Sequence, residues 1–198
     1  MKATAPILMT PGNATRCLDG SKVETRRLTG LDEINGDPDA WAIDRAPADG
    51  VVMMMRKADG ARLSIACRYG WQGTRLWVRE TVARTLNGWL YRADYPAKPK
   101  PQAVCPPDDW CELQLKNRWV PSIHMPRRAA RTILIVEGVW LERLQLLDSD
   151  GAVAEGVSDI ATFKRLWASI NKPKDGRPDT SWEANPWVWV IRFRKERK

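Results

Sequence analysis

A lysine and a threonine in the segment GSKVETRR, residues 20–27, have the residue types needed for acid–base and nucleophilic chemistry. Lys22 and Thr25 lie three positions apart, so a straight strand would place their side chains on opposite faces. A bend just after Gly20 would bring them together. A partly desolvated lysine can lose its proton and act as a base for a hydroxyl nucleophile. The segment indicates either such a pair or a solvated, charged strand start.

The segment GTRLWVRET, residues 73–81, places two charged residues at the end of an alternating strand. Glu80 can accept a hydrogen bond from a base amino group, and Arg79 can contact a phosphate. Because neighbouring side chains on a strand point to opposite faces, only one of the two is expected to face a pocket. A structural ion pair between Glu80 and an arginine explains the pattern equally well.

The segment WVPSIHMPRRA, residues 119–129, contains the only histidine of the chain, His124, between two prolines. A histidine in a rigid loop can act as a general acid or base, or it can be a hydrogen-bonded structural residue. Ser122 adds a hydroxyl to the same loop, and Arg127 and Arg131 follow as a possible phosphate-binding edge.

The segment NPWVWVIRF, residues 185–193, has the apolar pattern of a final strand. Asn185 precedes a proline at its start. The asparagine amide can pair with the edge of a base, or it can cap the strand. The sequence leaves both roles open.

The composition of the 198-residue chain favours a polyanionic partner without requiring one. Lysine and arginine number 32 against 24 aspartates and glutamates, which gives a net charge of +8. This charge fits nucleic acid binding, or simply a soluble basic protein.

No signal peptide and no apolar run of about 20 residues is evident, so the sequence predicts a cytoplasmic protein that does not bind a membrane.

Tryptophans and cysteines are the remaining candidates for binding. Most of the eleven tryptophans are expected to pack in the core, while base stacking stays open for Trp71, Trp110 and Trp119. Cys105 and Cys111 with His124 would supply three zinc ligands, but their spacing matches no common zinc finger. We therefore predict no metal site and no cofactor.

Local signals predict the secondary structure of the first half. A short helix starts near Pro11 and ends at a glycine cap, Gly20. Residues 30–50, rich in Asp, Gly, Pro and Ala, are expected to form an exposed excursion. Two strands around Asp59–Gly60 form a hairpin. Residues 75–83 are predicted as one strand, with 89–93 as its partner.

The second half is predicted in the same way. Residues 95–111 carry five prolines and indicate an irregular loop. Residues 132–140 are β-branched and should form a buried strand. Ser149 and Ser158 are candidate caps of two short helices, and residues 187–193 form the last strand. Many short strands and few helices indicate one domain, residues 1–198, of α+β class with a partly closed β-barrel.

Taken together, the four segments resemble the ASCH family of small domains in the PUA-like superfamily, and in particular the long ASCH-like proteins of bacteriophages and prophages. The resemblance implies a PUA-like, partly closed β-barrel with short flanking helices. Large loop insertions at about residues 30–50 and 95–118 would enlarge this barrel. If the chain is phage-encoded, its location would be the host cell cytoplasm.

The resemblance also implies a catalytic set. The small acetylcytidine amidohydrolases of the ASCH family use a lysine, a threonine and a glutamate. By motif, Lys22 and Thr25 match the first two, and Glu155 in DGAVAEGV resembles the third. Thr25 would attack an amide carbonyl, Lys22 would accept its proton and Glu155 would transfer protons to the leaving amine. The alternative for Glu155 is an exposed helix carboxylate.

Three functions follow from these observations. The first expectation is a domain that recognises RNA, single-stranded nucleic acid or a nucleobase. The second is a hydrolase, acting on a modified nucleoside such as acetylcytidine, or on RNA with His124 transferring a proton. The third is a phage protein that binds a host protein. The expected substrate-binding residues are Arg26, Arg79, Glu80, Ser122, His124, Arg127 and Asn185.

Overall fold

The computed structural model describes residues 4–85, 88–95, 119–172 and 175–196, except for the side chains of residues 46, 47 and 85. The strands are β1 (Thr4–Leu8), β2 (Glu24–Arg27), β3 (Trp41–Ala48), β4 (Val51–Arg56), β5 (Arg62–Ala66), β6 (Arg75–Arg79), β7 (Val82–Thr85), β8 (Gly88–Tyr91), β9 (Ile133–Arg143) and β10 (Trp187–Lys195). The α-helices are α1 (Pro11–Asp19), α2 (Asp32–Asn35), α3 (Ser149–Ala154) and α4 (Ile160–Ile170). The described part of the chain is therefore mixed α+β, mostly sheet with few helices, as predicted.

The strands form three sheets. The main sheet has the order β1-β6-β9-β10-β2, in which only the β1–β6 pair is parallel. A second sheet has the order β3-β4-β5, and β7 pairs with β8. Within the described ranges, strand pairing does not close these sheets into a barrel, and the predicted partial closure stays a prediction.

The outer edge of β2, the last strand of the main sheet, is covered by the end of α3. Just before β2, the Val23 amide donates to the Ala154 carbonyl at 2.8 Å. Within β2, the Arg26 amide donates to the Glu155 side chain at 2.6 Å. The end of α3 thus occupies the hydrogen-bonding positions that a neighbouring strand would use, which protects the edge.

The last strand, β10, lies in the middle of the core. Trp189 and Ile191 face the cluster that includes β1, β6 and α1, while Val188 and Val190 face α4 and the segment before it. Both faces are covered because apolar residues occupy every position from Trp187 to Ile191. Of the described tryptophans, four are buried and five are partly buried, whereas Trp71 is 48% exposed.

Several local predictions are confirmed. Helix α1 ends at Gly20, which has a left-handed φ of 86°. Gly60, with φ of 72°, lies in the connection between β4 and β5 of the expected hairpin. The two short helices are present, but their caps differ from the predicted serines. Asp148, one residue before Ser149, caps α3, and Asp159, one residue after Ser158, caps α4.

Two predictions of the first half are wrong. The expected exposed excursion contains α2 and all of β3, and its Leu31, which caps α2, and Ile34 are fully buried. Residues 75–83 do not form one strand, since β6 ends at Arg79 and β7 pairs with β8. The proline-rich insertion lies almost wholly outside the described residues. None of the described helices has the length and apolar character needed to cross a membrane.

Candidate active site

A bend between α1 and β2 turns Lys22 into the protein. Gly20 ends the helix in the left-handed conformation, and the amide of Lys22 donates to the Arg16 carbonyl at 3.1 Å. β2 begins two residues later, at Glu24. The bend expected from the sequence is therefore present, and the Lys22 side chain is buried, with 1% of the residue exposed.

Lys22 and Glu155 form a buried ion pair. The Lys22 ammonium contacts Glu155 Oε2 and also donates to the backbone carbonyl of Glu155 at 2.7 Å. Glu155 is 4% exposed, so its alternative as an exposed helix carboxylate is wrong. Burial lowers the pKa of Lys22, and the Glu155 carboxylate opposes this shift only in part. Lys22 is thus a lysine that gives up its proton more readily than an exposed one.

The position of Glu155 follows from how α3 begins and ends. Asp148 caps the helix, because its Oδ1 accepts a hydrogen bond from the Gly151 amide at 2.7 Å. The helix ends after six residues, and Glu155 follows directly. Its Oε1 accepts the free edge amide of Arg26 at 2.6 Å, so the carboxylate joins the strand edge to Lys22.

Thr25 lies on β2, one residue before Arg26, whose backbone amide binds Glu155. Thr25 is 1% exposed, and its hydroxyl makes no hydrogen bond within the described part of the chain. Thr25 and Glu155 both line a cavity of about 340 Å³. The hydroxyl oxygen is not fully shielded from solvent, and the cavity is where it is open.

The cavity combines a few polar groups with an apolar wall, as small-molecule sites usually do. Its volume is near the lower end of the range for ligand pockets, which suits a single base or nucleoside. Its polar residues include Asn13, Thr25, Arg26, Ser122 and Glu155. The apolar and aromatic wall includes Tyr69, Phe163, Leu166, Trp167 and Ile170.

Arg26 contacts the carboxylates of Glu142 and Glu155. Its Nη2 and Nε lie 2.8 and 3.0 Å from Glu142 Oε1, and its Nη1 lies 3.4 Å from Glu155 Oε1. Trp140 Nε1 donates to the other oxygen of Glu142 at 2.9 Å. This chain of contacts orients Glu155. Arg26 also lines the cavity, so its contact with a substrate stays a prediction.

The structure places Arg79 and Glu80 away from the cavity. Both oxygens of the buried Glu80 carboxylate accept from Arg131, at 2.8 and 2.9 Å, so the structural ion pair is confirmed. Arg79 donates to the Ile123 carbonyl and lies 5.2 Å from the centroid of the Trp77 ring. Neither residue lines this cavity, and their contact with a substrate stays a prediction.

Of the remaining predicted residues, the structure brings only Ser122 to the cavity. His124 and Arg127 are exposed and do not line it. Asn185 adopts a positive φ of 46°, and its Oδ1 accepts the Gln145 amide at 2.8 Å. Asn185 therefore stabilises the turn before β10, which is the capping alternative and not a base contact.

Sequence reasoning missed Asn13 and Glu142. Asn13 lies in the first turn of α1, where it is buried and lines the cavity. Glu142 lies near the end of β9, where alternation gives no sign that it holds Arg26. One sequence signal could have indicated Asn13: this polar residue comes directly before Ala14, which lies with Cys17 on the buried face of α1.

Metal ligation and thiol chemistry find no support in the described ranges. They contain no group of three or more histidine, cysteine or carboxylate side chains that can hold a metal ion. The proposed ligands Cys105 and Cys111 lie outside the described residues. Burial raises the pKa of both Cys17 and Cys67 to about 11, which keeps these thiols protonated and unreactive near neutral pH.

Gly156 sets the distance between α3 and Lys22, and its replacement by alanine is expected to be costly. The residue has φ of 85°, and a Cβ there would lie 2.7 Å from Arg16 Cδ and 3.1 Å from Lys22 Cβ. We expect Gly156→Ala to reduce the free energy of unfolding by about 2–3 kcal/mol, measured by urea denaturation.

Gly20→Ala is the matched control for Gly156→Ala. Gly20 has almost the same φ, 86°, but nothing lies within 4 Å of an added Cβ. Its cost should therefore be limited to backbone strain, about 1 kcal/mol. Equal losses in the two variants would show that Gly156 is required for conformation alone and not for the close approach to Lys22.

Comparisons with known proteins identify no relative: no family model matches the chain, and searches of curated proteins and of solved structures give no significant match.

Proposed function

We propose that the chain is an ASCH-type domain with a PUA-like fold that hydrolyses an acyl amide on the amino group of a nucleobase. The substrate is a modified nucleoside of the acetylcytidine class, either free or within single-stranded RNA. The observation that carries the proposal is that Glu155, which pairs with the buried Lys22, lines one cavity together with Thr25. Lys22 and Glu155 are 133 positions apart, so no local structure forces this meeting.

The proposed reaction starts with a proton transfer. Lys22 acts in its neutral form, which its lowered pKa makes easier to reach, and takes the proton of the Thr25 hydroxyl as the threonine oxygen attacks the acyl carbonyl carbon. The carbon–nitrogen bond then breaks, and the departing base nitrogen takes a proton from the Lys22–Glu155 pair. Water hydrolyses the acyl ester left on Thr25, which restores the hydroxyl and releases the acid.

The shape of the cavity supports a base as the bound group. Tyr69 and Trp167 lie in its wall and offer faces on which a planar ring can stack. Ser122 adds a second hydroxyl that can bond to the polar edge of the ring. A pocket of about 340 Å³ accepts one nucleoside and leaves a longer strand on the surface.

The proposal is tested by incubating the purified protein with acetylcytidine and detecting cytidine and acetate by mass spectrometry. We expect product with the wild type and none with Lys22→Met. The rate should rise with pH as Lys22 loses its proton, with a midpoint below the ordinary lysine value of 10.5. The absence of product from the wild type with both free acetylcytidine and acetylated RNA would contradict the proposal.

A second candidate function is recognition of nucleic acid without hydrolysis. A broad groove of about 1320 Å³ on the other side of Lys22 carries Arg75, Arg131, Arg194 and Lys195. These cations suit a phosphate backbone, although three of them also pair with carboxylates on the protein. RNA affinity should then fall steeply between about 50 and 200 mM salt. Affinity that does not change with salt would contradict this candidate.

A further inference from the structure

Asn13 is a buried polar residue whose side chain has no hydrogen-bond partner among the described residues. It lies in the first turn of α1, is 4% exposed and lines the cavity with Thr25 and Glu155. Its backbone amide is bonded to Thr10 Oγ1 at 3.4 Å, but its side-chain amide makes no hydrogen bond within the described residues. The Oδ1 atom is also inaccessible to solvent. The other half of the amide, Nδ2, is therefore the part that faces the cavity.

A second buried asparagine shows what a structural role looks like in the same protein. Asn35 is 3% exposed, and it bonds both halves of its amide to the backbone of Trp187. Its Nδ2 donates to the Trp187 carbonyl at 3.0 Å, and its Oδ1 accepts the Trp187 amide at 2.7 Å. A buried polar group is normally paired in this way, so an unpaired one calls for a ligand or a function.

We infer that Asn13 is a ligand-binding residue whose side-chain amide donates a hydrogen bond to a carbonyl oxygen of the molecule in the cavity. The inference rests on the proposed function, because an acylated cytosine carries two such oxygens, one on the ring and one on the acyl group. The N-terminal end of α1 is also at the cavity, since Met9 and Thr10 line it. The positive end of the helix dipole favours an acceptor oxygen at this place.

The role of Asn13 is tested by isothermal titration of cytidine and by steady-state kinetics with acetylcytidine. Asn13→Asp keeps the size of the side chain and removes the donor, and Asn13→Ala removes the amide altogether. Both variants are expected to fold, since aspartate suits the first turn of a helix and alanine favours helix formation. We expect at least a tenfold loss in cytidine affinity or in kcat for both.

Titration with cytidine and kinetics with acetylcytidine together show whether Asn13 binds the ring carbonyl or the acyl carbonyl. If Asn13 binds the ring carbonyl, cytidine affinity falls and the KM for acetylcytidine rises. If it binds the acyl carbonyl, where negative charge develops during attack, kcat falls while cytidine affinity stays unchanged. Either result supports the inference. Wild-type values for affinity, KM and kcat in both variants would overturn it and leave the proposed hydrolysis intact.

Asn35→Ala is the control for a structural effect. It removes two hydrogen bonds to the Trp187 backbone, so its melting temperature should fall clearly. Asn13→Ala removes no hydrogen bond of the side chain, so its melting temperature should stay the same or rise. A loss of ligand binding in Asn13→Ala that came with a comparable fall in melting temperature would overturn the inference. Failure of the wild type to bind cytidine and to hydrolyse acetylcytidine would instead refute the proposed function, and with it this inference.

Discussion

Replacement of Thr25 by valine is expected to reduce kcat for acetylcytidine hydrolysis by about 10³-fold or more, because the proposed nucleophile is lost. Valine has nearly the shape of threonine and also suits a strand. The Thr25 hydroxyl makes no hydrogen bond within the described residues, so its removal leaves no protein group unpaired. The free energy of unfolding should therefore change by less than about 1 kcal/mol. Steady-state kinetics and urea denaturation of the same preparation check both statements.

Thr25→Ser is the matched control for the valine variant. It keeps a hydroxyl and loses a buried methyl group, so it should retain activity to within about tenfold and lose about 1 kcal/mol of stability. Comparison of the two variants thus separates the effect of losing the hydroxyl from the effect of losing side-chain packing. A valine variant with nearly wild-type kcat would show that Thr25 is not the nucleophile. Ser122, another hydroxyl-bearing residue that lines the cavity, would then be the next candidate.

The candidate site was only partly predictable from the sequence. The bend after Gly20 follows from local helix-capping rules, which is why the change of chain direction just before Lys22 could be anticipated. The burial of Glu155 could not, because it depends on α3 docking on the edge of β2, far away in the chain. The unpaired amide of Asn13 is likewise visible only once the cavity is formed.

The fold shows the same division between local and long-range causes. The β4–β5 hairpin is set by a turn at Asp59–Gly60 and was predicted. The break after β6 was not, because Glu80 leaves the strand pattern to pair with Arg131, 51 positions later. Leu31 and Ile34 were missed because two apolar residues in a polar segment are too few to indicate a buried helix face.

Replacement of Glu155 by alanine is expected to reduce the free energy of unfolding by about 3–5 kcal/mol, because it leaves the buried Lys22 ammonium without its counter-ion. The edge amide of Arg26 also loses its acceptor. Urea denaturation followed by tryptophan fluorescence measures this loss directly. Glu155→Gln should cost less, since its amide oxygen can still accept from Lys22 or Arg26.

The double variant Lys22→Met/Glu155→Leu shows whether the ion pair serves stability or chemistry. Apolar residues of similar size avoid the cost of burying two charges, so the double variant should recover most of the stability lost in Glu155→Ala. It should nevertheless be inactive, because no base remains beside Thr25. A protein as stable as the wild type but without hydrolysis would mean that the pair is retained for its reaction. A double variant as unstable as Glu155→Ala would mean that the pair is needed to hold α3 on the edge of β2.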